Sequence, residues 1–142
     1  MNSMAVVEEF FAALEALDVD RAVSLFADDA VQSMPFAPAG FPDRLEGRDA
    51  IARQYGGLPA AYRSMHFVVN LYPMEDASMV VAEYQGAIEL TAGGRYDNRY
   101  CGIFRVRDDR IASFTEYFDP VVLQRAFGGD QMTDTFSIEP DR

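Results

Sequence analysis

The stretch MVVAEYQGAIELTAGGRYDNRYCGIFRVRDDRIASFTEYF, residues 79–118, decides the fold class. It reads as three alternating runs, 79–91, 95–107 and 110–118, parted by two turn signals, Gly93-Gly94 and Asp108-Asp109. A strand turns successive side chains to opposite faces, so alternation names the interior face of each run. In the first run Val80, Ala82, Tyr84, Gly86, Ile88 and Leu90 share that face, and Glu83, Gln85 and Glu89 share the other with Val81 and Ala87. In the second, Asn98, Tyr100, Gly102, Phe104 and Val106 oppose Arg99, Cys101, Ile103, Arg105 and Arg107, whose three arginines mark a wetter surface. In the third, Ala112, Phe114, Glu116 and Phe118 align against Ile111, Ser113, Thr115 and Tyr117. Further strands are expected over 30–36 and 65–73.

Upstream the period changes from two to about 3.6. Val7, Phe10, Phe11, Leu14 and Leu17 give a helix over about 3–17, with Ser3 placed to cap it. Asp18 caps a second helix, about 19–27, that turns Ala22, Val23, Leu25 and Phe26 inward and ends at Asp28-Asp29. Gly47-Arg48-Asp49 opens a third over 48–55, Gly56-Gly57 interrupts it, and 59–63 adds one helical turn. Helices first and antiparallel strands afterwards are the α+β signature. A short helix over 120–127 follows Pro120. The expected domain is 1–130, leaving 131–142 as a tail that is loose or packed on a partner.

Composition narrows the chemistry. The chain has 142 residues, 49% apolar and 25% charged, the balance of one globular domain. A net charge of −11 disfavours nucleic acid, anionic lipid and phosphorylated partners. With one cysteine (Cys101), one histidine (His66) and no lysine, an intrachain disulfide, a zinc site of several His or Cys ligands and a lysine Schiff base are all excluded. No cofactor or metal is expected. No apolar run reaches the ~20 residues that span a bilayer. The first 17 residues carry Glu8, Glu9 and Glu15 and lack the pattern of a signal peptide, so a cytoplasmic location is expected.

Glu116 is the most informative position, because alternation puts its carboxyl on the interior face between Phe114 and Phe118. An ionised carboxylate in such a place is protonated, paired, or part of a site. Tyr84, Asn98, Tyr100 and Glu116 are expected to project into one enclosed space, the make-up of a small-molecule pocket. Desolvation there raises an acid toward neutral pH and suits it to general acid/base work. The other reading is structural: Glu116 accepts hydrogen bonds from Tyr100 or Asn98 and ties the core together. His66 shares its phase with Asn70 and Tyr72 and is expected on the outer or interface face.

Nearly the whole chain resembles a known family. Residues 23–31, VSLFADDAV, look like the helix-two-to-strand passage of SnoaL-like and ketosteroid-isomerase-like proteins, and 45–51, LEGRDAI, like their helix-three opening. Residues 96–100, YDNRY, with Phe104, Asp109-Arg110-Ile111 and 116–120, EYFDP, resemble the C-terminal half of the SnoaL-like group. The phenazine-biosynthesis A/B-type proteins share that ending. The resemblance implies the nuclear transport factor 2-like fold, a cone-shaped, curved, mixed or antiparallel sheet wrapped around three N-terminal helices and enclosing an apolar pocket. It also implies a homodimer formed through the outer sheet face.

The same comparison removes two mechanisms. Ketosteroid isomerase uses a Tyr, an Asp base and a second, protonated Asp; those positions fall at Phe10, Met34 and Gly102. The Arg and Asp of limonene epoxide hydrolase fall at Tyr84 and Gly86, while its remaining carboxylate falls at Glu116. The phenazine-type proteins keep a Glu there, and their helix-three His corresponds to Gln54. Gln54, Met34 and Phe36 are lining residues by resemblance. The expectation is an apolar small-molecule ligand and cofactor-free isomerisation, cyclisation or condensation, with Glu116 and Tyr100 catalytic and Tyr84, Asn98, Gln54, Met34, Phe36, Phe114 and Phe118 binding substrate. A binding protein without turnover is the alternative.

Overall fold

The computed structural model describes residues 2–127. The helices precede the long strands, as the change of period indicates. Helix α1 (Ser3–Glu15) is capped one residue earlier than expected: the Asn2 side chain accepts from the Ala5 N–H at 2.8 Å. Ser3 instead donates to the Ala77 carbonyl at 2.8 Å. Asp18 does cap α2 (Val19–Ser24), accepting from Arg21 N–H. That helix is shorter than its apolar pattern suggests, because Phe26 already belongs to strand β1 (Phe26–Ser33). Its expected terminus, Asp28-Asp29, lies within that strand, where the register slips between Phe26 and Val31. A three-residue strand, β2 (Arg44–Glu46), was not visible to alternation because it is too short to show a period. Helices α3 (Arg48–Tyr55) and α4 (Leu58–Ala61) lead into β3 (Tyr62–Pro73).

The remaining elements are β4 (Met79–Leu90), β5 (Arg95–Arg107), β6 (Arg110–Phe118) and α5 (Pro120–Ala126). Asp108 and Asp109 both take positive φ, 53° and 61°, which matches the twist of a tight hairpin between β5 and β6. The sheet runs β2-β1-β6-β5-β4-β3 and is mixed: β1 and β6 are parallel and every other pair is antiparallel. The last strand is thus central, held between the first long strand and β5.

One phase changes along β6. Ile111 pairs with Val106 and Ser113 with Arg105, so Ala112 is an extra residue that forms a bulge. Ile111 therefore faces the core with no exposed surface, although unbroken alternation put it outside. Beyond the bulge the expected phase holds, and Phe114, Glu116 and Phe118 face inward.

The core fills one end of the concave face. Phe10 on α1 meets Phe26, Phe104 and Phe114 edge to face, and Phe104 stacks on Phe114 with centroids 4.1 Å apart. Each buried ring of this kind contributes about 2–3 kcal/mol by burial. At the opposite edge, Glu15 reaches β3: its Oε2 accepts from the Phe67 N–H at 2.7 Å and lies 3.0 Å from His66 Nδ1. His66 is exposed on the outer side, as its phase indicates. The tail 131–142 lies outside the described residues. No helix among the described residues is long and apolar enough to cross a membrane.

Candidate active site

The packed core stops between Phe114 and Glu116. Below that level β4, β5 and β6 contribute Ala82, Phe104 and Phe114, all close-packed; above it they contribute Tyr84, Tyr100 and Glu116, which line a cavity of about 150 Å³. Helix α3 adds Gln54 and Tyr55, β1 adds Gln32, and Met34, Phe41 and Pro42 come from the loop after it. Leu123 on α5 and Leu58 on α4 stand on the same lining.

Glu116 and Tyr84 are two strands apart, yet their side chains meet: the Tyr84 hydroxyl donates to Glu116 Oε2. Position 102, directly opposite Glu116 on the intervening strand, makes this reach feasible. A Cβ on Gly102 would stand 3.3 Å from the Tyr84 ring, 3.1 Å from Phe104 and 2.8 Å from Phe114. A bare backbone at that point lets the tyrosine cross β5. Tyr84 also stacks on Tyr100, with centroids 4.7 Å apart and planes within 7°.

Glu116 Oε1 has no hydrogen-bond partner among the described residues, while no fully buried side-chain polar atom there lacks one; Oε1 therefore opens on the cavity. Burial pushes the Glu116 carboxyl up to about 7, against a downward pull from Tyr84's hydrogen bond. Desolvation wins because one neutral donor replaces only part of a carboxylate's hydration. Burial also holds Tyr84, Tyr100, Tyr55 and Tyr62 well above the ordinary phenol range, with the negative charge of Glu116 adding to the effect. These phenols are donors at neutral pH, not phenolates.

The expected site residues divide into two groups. Glu116, Tyr84, Tyr100, Gln54, Met34 and Phe118 line the cavity. Asn98, Phe114 and Phe36 do not. Asn98 is buried, but its amide is fully used: Nδ2 donates to the Tyr96 hydroxyl and the Asp119 carbonyl, and Oδ1 accepts from the Arg99 and Asp119 N–H groups. It ties β5 to the start of α5. Phe114 is 1% exposed and belongs to the aromatic core. Phe36 is 56% exposed and rests on Tyr117, on the other side of the sheet from the cavity.

Sequence reading missed Gln32, Tyr55, Tyr62 and Tyr96. The Tyr55 hydroxyl donates to Gln32 Oε1 at 2.7 Å, and among the described residues the Gln32 amide nitrogen finds only the Met34 sulfur, at 3.5 Å. Signals for three of them existed. Tyr96 continues the Asn98–Tyr100 phase by one step, Gln32 shares the phase of Ala30 and Met34, and Tyr55 lies one helical turn after Ile51. Among the described residues no cluster of three or more His, Cys, Asp or Glu side chains is placed to hold a metal ion.

Residues 7–114 match the family model of the SnoaL-like domain. The chain belongs to the SnoaL-like family. The match ends two residues before Glu116. Among relatives of this SnoaL-like protein, YesE of Bacillus subtilis is 31% identical over 126 residues, covering 87% of this chain and 85% of the relative. A solved Bacillus subtilis structure, described provisionally as an isomerase, superposes with a TM-score of 0.82 at 29% identity, covering 90% and 94% of the two chains. An NTF2-like protein of Burkholderia pseudomallei gives 0.76 at 18% identity over 91% and 99%. The fold is accordingly the α+β, NTF2-like one that the resemblance implied, with an open sheet.

Proposed function

We propose that this SnoaL-like protein is a small-molecule enzyme of the isomerase, cyclase or condensing type, using cofactor-free acid/base chemistry on a ring-sized, largely apolar substrate. One observation carries this reading: a carboxyl group balanced near pH 7 presents a free oxygen to an apolar, aromatic cavity. A general acid/base is most useful when its pKa lies near the working pH. Glu116 Oε1 takes a proton from a substrate carbon acidified by a neighbouring unsaturated group, then returns it at a second position, so the enzyme ends as it began. Tyr84 holds the carboxyl in place. Tyr100 forms the wall on which the ring lies, its hydroxyl turned to Tyr96. The isomerase description of the Bacillus subtilis structure supports the reaction class.

The volume bears on substrate size. A dry cavity of about 150 Å³ holds a benzene-sized molecule, and this one is of that size. The part of the substrate held beside Glu116 is thus about one ring, and a larger substrate would extend through the open mouth of the cavity. Glu116→Gln, which keeps the shape and removes the titration, is expected to fold normally and to lose turnover by at least about a hundredfold. Unchanged turnover by that variant would refute the catalytic role.

Binding without turnover has one observation in its favour. Among the described residues Glu116 is the only carboxylate or imidazole on the cavity wall, with no second acid or base beside it. Saturable binding with no product on prolonged incubation would select that reading.

A further inference from the structure

We propose that the cavity selects a ring-sized organic cation, an amine or iminium, with Glu116 as its counter-ion. The proposal rests on the reading of this cavity as the ligand site and specifies what the ligand carries. Among the described residues, five tyrosines and three phenylalanines stand on the lining, together with one carboxylate and no Arg, Lys or His. Aromatic faces carry negative charge and attract a cation lying within about 6 Å of the ring centre. Glu116 adds a full negative charge at the same wall, with Oε1 unpartnered among the described residues. A carboxylate or phosphate ligand would meet that charge with nothing to neutralise it, inside a chain of net charge −11.

The phenols bear on the same choice. A substrate that develops an oxyanion needs free, aimed hydrogen-bond donors. Here the Tyr84 hydroxyl is spent on Glu116, the Tyr55 hydroxyl on Gln32, and Tyr100 faces Tyr96, so an oxyanion would have to turn to the Gln32 and Gln54 amides or the Tyr62 and Tyr96 hydroxyls. An iminium substrate needs no such donor, because its own nitrogen is the electron sink. When Glu116 takes the proton from the carbon next to C=N⁺, the C–H electron pair becomes a C=C bond and the C=N π pair settles on nitrogen. A neutral enamine and a protonated Glu116 result, so both charges disappear together in a low-dielectric site.

Three soluble probes of one size and different charge test the idea: benzylamine (protonated at pH 8), benzyl alcohol and benzoate, titrated calorimetrically into the intact protein. At pH 8 benzylamine is expected to bind at least tenfold tighter than benzyl alcohol, and benzoate not measurably. At pH 5.5, below the Glu116 titration, the gap between amine and alcohol should shrink severalfold. Near pH 7, titrations in buffers of different ionisation enthalpy should show release of up to about half a proton per amine bound. Glu116→Gln should likewise reduce the amine's advantage, and the pH series on the native chain gives the same answer should that variant misfold. Equal affinity for alcohol and amine at pH 8, or an amine advantage unaltered from pH 8 to 5.5, would overturn the charge selection while leaving the cavity a ligand site. No binding of any probe would overturn both readings.

Discussion

Glu116 is where stability and chemistry oppose each other. A carboxyl raised from 4.5 to about 7 is one the folded chain prefers to keep protonated. The stability this provides is complete below the unfolded value near 4.5 and is lost as pH rises through about 7. Keeping this carboxyl ionised in the folded chain costs roughly 3 kcal/mol relative to the unfolded one. One buried phenylalanine offsets that cost, and the aromatic core beneath supplies several. Denaturant unfolding across this pH range should show the native protein losing roughly 3 kcal/mol relative to Glu116→Gln; parallel pH profiles for the two would contradict it. Tyr84→Phe removes the one bond that favours the ionised form. The Glu116 titration, followed by the infrared band of the protonated carboxyl, should then move above 7. A downward movement would mean that Tyr84 does not hold the carboxylate.

At the scale of elements, the strands were legible because their faces differ, and the errors came where a face is not periodic. The Ala112 bulge reversed Ile111, and a strand of three residues, Arg44–Glu46, has no period to detect. Alternation identifies which side of a sheet a residue is on, but not how far along the strand the core ends. It therefore grouped Phe114 with Glu116, although the first is core and the second is cavity wall. For the same reason Asn98 looked like a pocket residue: its face was right, and only its partners on Tyr96 and Asp119 reveal its work. Gly102 carries the sharpest prediction here. Gly102→Ala places a methyl 2.8 Å from the Phe114 ring, so the packed rings must shift, at about 1–3 kcal/mol. The displaced Tyr84 should loosen its bond to Glu116 as well. Thermal unfolding checks the first effect and the Glu116 titration the second; a variant unchanged in both would show that the crossing over β5 does not depend on that glycine.

For the whole molecule, the convex face of the sheet mixes apolar and charged groups. Val68 is 58% exposed there, and Val81, Cys101, Ile103 and Tyr117 stand partly exposed among Glu83, Gln85, Arg99 and Arg105. We propose that a second copy covers this face, as the sequence resemblance implied. Ile103→Glu should then shift sedimentation from dimer to monomer without affecting the intracavity tyrosines, whereas a native protein that sediments as a monomer would dismiss the interface. The strand order has a consequence in time. β6 lies between β1 and β5, so the partner of residues 31–33 is made some eighty residues later in the chain. Such distant pairing is slow to form. During synthesis β1, paired only with its short companion β2, must wait for its second neighbour until Ser113–Thr115 emerge, and Glu116 arrives with that same segment. Joining the two parts of the sheet and completing the acid site are thus one late event, so a nascent or truncated chain that lacks β6 lacks the acid as well.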